Sequence, residues 1–211
     1  MITRACLSAL LSIALCCVAV PLAHASSEGL AKERRLYREA MQNISRGHSE
    51  KAEALLPALS QYPLYSYLEL ELLKAQIGEL SHGTIDVYLQ QYRDTLVGQR
   101  IRIAWLGQLR RRGEWGQFIR YYRQDPPSFM RCDYLHALYQ QGDTQSADRE
   151  TAALWQTGRS LPEACDPALN RWLGSLPTAE YHRQHRLRAQ LAIDAGQHSL
   201  AVYLLRKVPG S

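Results

Sequence analysis

The chain is poor in the residues that announce most chemistries. Its 211 residues hold 5 cysteines, 3 methionines and 2 phenylalanines. No C-x-x-C occurs, so a four-ligand zinc site has no starting point. Neither G-x-x-x-x-G-K-[ST] nor G-x-G-x-x-G is present, which removes the usual phosphate cradles. No G-x-S-x-G marks a nucleophile elbow, and no H-E-x-x-H marks a metalloprotease. β-Branched residues are scarce: residues 26–211 contain 27 leucines against 7 isoleucines and 4 valines. That balance favours helix over strand. The net charge of +5, with both signs interspersed, is too mild to indicate a nucleic-acid binder. Apolar residues at 46% and charged residues at 21% belong to a folded globular protein.

Long apolar runs are also missing, except one at the start. Arg4 gives a short basic segment, and Ala5 to Leu22 carries no charge. Ala23-His24-Ala25 is an A-x-A cleavage site, and Ser26-Ser27-Glu28 turns polar at once. This layout predicts a secretory signal peptide over 1–25. A membrane anchor fits less well because of the A-x-A site and the abrupt change to polar sequence, and a lipoprotein signal at Cys16 or Cys17 fits less well because Leu15 stands before Cys16, where lipoproteins want a small residue. No later run is apolar enough to span a bilayer. The expected product is therefore exported, free of the membrane after cleavage, and 186 residues long.

Three cysteines leave with the signal, and Cys132 and Cys165 remain. Two cysteines in an oxidising compartment point to one disulfide, with two unrelated buried thiols as the alternative.

Apolar residues then recur at helical spacing, as in Ile85, Tyr88, Leu89 and Tyr92, or Leu30, Tyr37, Met41 and Ile44. The pattern predicts helices over 30–46, 49–59, 64–77, 84–92, 95–112, 114–122, 129–141, 145–156, 166–174, 178–195 and 198–207. Glycines separate members of pairs at 47, 78, 113, 142 and 196. The first four are 31, 35 and 29 residues apart, near the period of helix-turn-helix repeats. The expected fold is all-α: one superhelix of antiparallel helix pairs over 26–211, a solenoid of the tetratricopeptide kind.

Few constellations could carry chemistry. His182 and His185 share a helix face, but Arg183, Arg186 and Arg188 surround them, so a solvated basic face is expected rather than a metal site. Glu69 and Glu71 are two apart and point to different faces, so they form no carboxylate dyad. Arg100, Arg102, Arg110, Arg111, Arg112, Arg120 and Arg123 interleave with Trp105, Trp115, Phe118, Tyr121 and Tyr122. Such a stretch can hold an anionic polymer, although aromatics at helical spacing more often pack repeats together. No catalytic, cofactor-binding or metal-binding residue is assigned.

Several runs resemble the soluble lytic murein transglycosylases of Gram-negative bacteria. They are Leu55-Leu-Pro-Ala-Leu59 with Tyr62-Pro-Leu-Tyr-Ser-Tyr-Leu-Glu69, and Arg111-Arg-Gly-Glu-Trp115. The most specific is Leu154-Trp-Gln-Thr-Gly-Arg-Ser-Leu-Pro-Glu-Ala-Cys-Asp166, with Trp172 after it and Arg131-Cys132-Asp133-Tyr134 before it. The resemblance implies a disulfide between Cys132 and Cys165. It implies a periplasmic location, and murein as a partner. It also implies an N-terminal superhelix, which in the family precedes a lysozyme-like catalytic domain. There a Glu followed by Ser cleaves the N-acetylmuramic acid–N-acetylglucosamine bond to a 1,6-anhydro product. No Glu-Ser pair and no Gly-Leu-Met-Gln-Ile run follows in residues 26–211, so no catalytic residue is carried over. The reading is a non-catalytic superhelical module without the catalytic domain, its last helix shaped as if another repeat should follow. A free-standing scaffold for a periplasmic protein partner is the alternative.

Overall fold

The computed structural model describes residues 22–123 and 128–209. Residues 1–21, most of the expected signal peptide, lie outside that range. Among the described residues the chain is helical throughout, with no strand. Two compact units divide it, up to Leu68 and from Glu69 onward.

In the first unit, α1 (Leu22–Ser45) packs against α2 (Ser49–Glu53) and α3 (Leu56–Leu59). Its start at Leu22 precedes the expected position 30, because Leu22, Ala23, Ala25 and Glu28 are helix formers and no proline interrupts them, although Gly29 weakens the stretch by about 1 kcal/mol. The inner stripe is Leu36, Tyr37, Ala40, Met41 and Ile44, with Ala40 fully buried. Leu30, which helical spacing places on this stripe, is 40% exposed. Tyr37 and Tyr62 meet with ring centroids 5.2 Å apart. The single helix expected over 49–59 is two. Pro57 lacks an amide hydrogen, and its ring would strike the Glu53 carbonyl, so α2 ends and α3 restarts with the proline in its first turn. Helix α4 (Tyr65–Gln76) begins in the first unit and ends in the second.

The second unit continues with α5 (His82–Gln91), α6 (Leu96–Arg112), α7 (Trp115–Tyr121), α8 (Ser128–Gln140) and α9 (Thr144–Trp155). A 3₁₀ turn (Glu163–Cys165) leads into α10 (Asp166–Ser175), followed by α11 (Thr178–Asp194) and α12 (His198–Leu205). Helices α5 to α10 each pack on the next, and α11 packs on α12. Tight turns make the pairs. Gly47, Gly113, Gly142 and Gly196 have φ of 78°, 68°, 79° and 69°, a left-handed conformation that costs other residues about 1–2 kcal/mol. Gly78 does not take it; Asp94, with φ 59°, does so between α5 and α6. Among the described residues, side-chain caps start three helices: Ser81 accepts from Thr84 N at 3.1 Å, Thr95 from Gly98 N at 3.1 Å, and Asp143 from Ser146 N at 3.1 Å.

Two clusters form the core near the C-terminal pairs. One holds Leu135, Leu138, Tyr139, Ala147 and Ala168. The other surrounds Cys132 and Cys165 with Trp155, Trp172, Leu169, Leu173, Ala189 and Leu204. Each fully buried leucine contributes about 1.5–3 kcal/mol of transfer free energy. On α12, Leu204 is buried and Leu200 and Leu205 are half-buried, whereas Val202 and Tyr203 are exposed.

Candidate functional site

The disulfide joins Cys132 of α8 to Cys165 at the end of the 3₁₀ turn, with Cα atoms 4.6 Å apart. Both cysteines are fully buried. It pins the segment between α9 and α10 under the core, and the motif residues around it have physical tasks there. Trp155 donates from Nε1 to the Gln184 carbonyl at 3.1 Å and lies 6.1 Å from Trp172, centroid to centroid. Gly158 lies directly on α11: a Cβ there would overlap the Leu191 carbonyl oxygen. Pro162 caps the turn with φ −58° and ψ 146°. The sequence run from Leu154 to Asp166 is a clamp that holds the α9–α10 connection onto α11.

Helix α11 corrects one expectation. Arg183 and Arg186 are exposed as expected, but His185 is 3% exposed and Arg188 4% exposed. The Arg188 guanidinium lies 4.1 Å over the Trp155 ring and donates to the Arg159 carbonyl at 3.1 Å. His185 Nδ1 meets the Tyr181 carbonyl at 2.8 Å, which makes Nδ1 the protonated nitrogen of the neutral ring. Burial holds the His185 pKa below its ordinary value, with the charges of Lys207, Arg188 and His182 adding to the effect. The signal for burial was present: Tyr181, His185, Arg188, Ala189 and Ala192 lie at helical spacing on one face. Charge on the side chains masked it.

The two glutamates of α4 are separately engaged. Glu69 accepts a hydrogen bond from the Tyr92 hydroxyl, and Glu71 pairs with Lys74 at 2.8 Å. No dyad forms, as their spacing required.

The arginine–aromatic stretch divides into two parts. Its aromatics are mostly core: Trp105, Phe118 and Tyr121 are buried. Around them the arginines find partners. Arg110 pairs with Asp133 at 3.1 Å, Arg112 with Glu114 at 3.4 Å, and Arg120 with Asp86 at 2.8 Å. Arg111 donates twice to Gln108, at 3.0 and 2.6 Å. Arg112 also covers the Trp105 ring at 5.2 Å, and Arg120 the Tyr121 ring at 5.1 Å. Burial and Asp86 push the Tyr121 hydroxyl up to about 12. Such exposed pairs stabilise by about 0–1 kcal/mol each. Their main effect is to cancel the field of the stretch.

What remains positive is local. Arg102 and Arg123 line two adjoining hollows of about 490 and 640 Å³ beside α6. Arg123 also lines a third, of about 510 Å³, with the stacked rings of Tyr122 and Tyr134, 4.0 Å apart. Burial lowers the pKa of Arg102, and so does the adjacent Arg123 charge. Asp94 is the carboxylate that partly offsets it. Two neighbouring cations beside an aromatic step can hold an anionic or polyhydroxylated chain. Among the described residues no cluster of His, Cys, Asp and Glu could hold a metal ion, and no helix is long and apolar enough to cross a membrane.

No protein-family model matches the chain. Curated proteins do. Soluble lytic murein transglycosylases of Salmonella typhimurium and of Escherichia coli K12 are each 25% identical over 186 residues. The chain is similar to part of the soluble lytic murein transglycosylases. The alignments cover 88% of this chain but 28% of each relative, so the chain spans under a third of their length. Among solved structures, the lytic transglycosylase Slt of Pseudomonas aeruginosa, an inactive mutant, matches with a TM-score of 0.70 and 27% identity. It covers 83% of this chain and 28% of that one. The 70-kDa soluble lytic transglycosylase Slt70 of E. coli matches at TM-score 0.71 and 23% identity, over 85% of this chain and 29% of its own. The fold is thus the superhelical one of Slt70.

Proposed function

We propose that this chain is a non-catalytic superhelical module of a murein lytic transglycosylase, exported to the periplasm, that docks on murein and does not cleave it. The observation that carries the reading is the alignment of 88% of the chain with soluble lytic murein transglycosylases. The electrostatics support the division of labour. Glycosidic cleavage needs a carboxylic acid kept protonated in a cleft. Of the carboxylates beside the hollows, Asp86 pairs with Arg120 at 2.8 Å and Glu150 with Arg131 at 3.8 Å, while Asp94 lies in the field of Arg102. Arg183 and Gln184 hold Glu180 down at about 2. The carboxyl of Asp133 is raised by burial, yet Arg110 binds it. Docking falls to the surface around Arg102, Arg123, Tyr122 and Tyr134.

Purified chain incubated with sacculi should co-sediment, lose binding in high salt, and release no 1,6-anhydro-muropeptides by mass spectrometry. Protein that stays in the supernatant at low salt refutes docking. Anhydro products above a no-protein control refute the non-catalytic reading. A scaffold for a protein partner is the second reading, favoured by exposed Leu187, Ile193, Val202 and Tyr203 on the last helix pair. A cross-linked protein partner, with no sedimentation, would select it.

A further inference from the structure

A further cavity, remote in sequence from the Arg102 surface, lies among α9, α10, α11 and α12. Its volume is about 470 Å³, enough for a dipeptide-sized molecule. Leu161, Leu169, Leu173 and Leu200 supply an apolar wall. Against that wall stands Arg188, 4% exposed and positively charged. Buried charges in proteins are ordinarily paired, and an unpaired one is costly. Among the described residues no carboxylate forms an ion pair with Arg188, and its Nε is buried without a hydrogen-bond partner. Its Arg159 carbonyl and Trp155 ring contacts orient the guanidinium but bring no counter-charge.

The other polar groups at the cavity narrow the ligand. Lys207 brings a second cation at the rim, placed 5.3 Å over the Tyr203 ring. Neutral His185, with Nδ1 committed to the Tyr181 carbonyl, offers Nε2 as an acceptor. Asp166 lines the cavity as well and disfavours a doubly charged phosphate. Two cations, one acid, one neutral acceptor and an apolar wall fit a singly charged molecule carrying an N–H group. We propose that this cavity binds the terminal carboxylate of a short N-acylated peptide, with Arg188 and Lys207 as the anion-binding residues. A planar carboxylate suits the guanidinium fork and supplies the counter-charge that the fold leaves out. The proposal does not rest on murein docking. Peptides of murein and peptides of protein origin share this chemistry, and stereochemistry tells them apart.

The test is calorimetric titration of the full chain with N-acetyl-D-alanyl-D-alanine, N-acetyl-L-alanyl-L-alanine and the C-terminal amide of each. Saturable binding of one acid with no binding of its amide is expected. Preference for the D,D acid assigns a murein source, and preference for the L,L acid a protein source. Lys207→Met, an exposed substitution, should weaken binding about 5-fold with an unchanged melting temperature. Arg188→Gln should weaken it by at least about 30-fold. If neither acid binds, if an amide binds as well as its acid, or if Lys207→Met binds as wild type does, the proposal is overturned. Lys207→Met keeps the test decisive even where Arg188→Gln fails to fold.

Discussion

Reduction of the Cys132–Cys165 disulfide tests the energetics of the fold most directly. The bond links residues 33 apart in sequence and joins α8 to the turn before α10. Cutting it returns to the unfolded chain the entropy of a closed loop of about 34 residues. The chain-entropy relation gives about 13 cal/mol/K, or about 4 kcal/mol at 25 °C. Domains of this size are stable by about 5–15 kcal/mol, so the bond accounts for a large share. At about 2–4 °C per kcal/mol, the melting temperature should fall by about 8–15 °C. Both cysteines are buried, so reductant must act on unfolded chain. Protein should therefore be reduced in denaturant, refolded under reductant, and compared with untreated protein by circular dichroism. This comparison leaves every side chain in place except the S–S bond. A fall below about 3 °C would show that the buried cluster around Trp155 and Trp172 holds the segment alone, and would refute the loop-entropy reasoning.

Two further outcomes follow from the same region. Gly158→Ala should destabilise by about 1–3 kcal/mol, since its Cβ overlaps the Leu191 carbonyl oxygen, while Gly174→Ala, with open space in α10, should stabilise by about 0.5–1 kcal/mol. Equal denaturant midpoints for the two variants would contradict the close approach of Gly158 to α11. The depressed pKa of His185 sets a pH dependence. Above about pH 6.5 both states are neutral there and its full contribution is present. As pH falls below that value, the unfolded chain takes up a proton that the folded chain refuses, so stability drops by up to about 1.4 kcal/mol per pH unit until the folded pKa is reached. Urea denaturation between pH 7.5 and 5.5 should show a smaller loss in His185→Gln than in wild type; identical slopes would mean that burial does not perturb this ring.

How much of this was legible depends on residue type. Leucine spacing placed nearly every helix within a few residues, and the glycines at 47, 113, 142 and 196 marked real left-handed ends. Pro57 is visible too, and it breaks the 49–59 helix that apolar spacing alone predicts. Counting the cysteines of residues 26–211 points to the bond that the structure contains. These features are local, or follow from counting, and need no knowledge of neighbours.

The candidate sites are a different matter. Arg188 and Arg120 look alike in sequence. Arg120 pairs with Asp86 at the surface, whereas Arg188 is buried on Trp155 beside the Arg159 carbonyl, which lies 29 residues earlier in the chain. A charged side chain is read as solvent-facing because leaving water is costly. Only an aromatic face and a carbonyl delivered by the disulfide-clamped segment reduce that cost. The sequence by itself determined most of the helices and the turns at Gly47, Gly113, Gly142 and Gly196, and it left Cys132 and Cys165 as the natural pair for a disulfide. The tertiary structure decided which cations are cancelled, which are buried without a counter-charge, and so where an anion can be held.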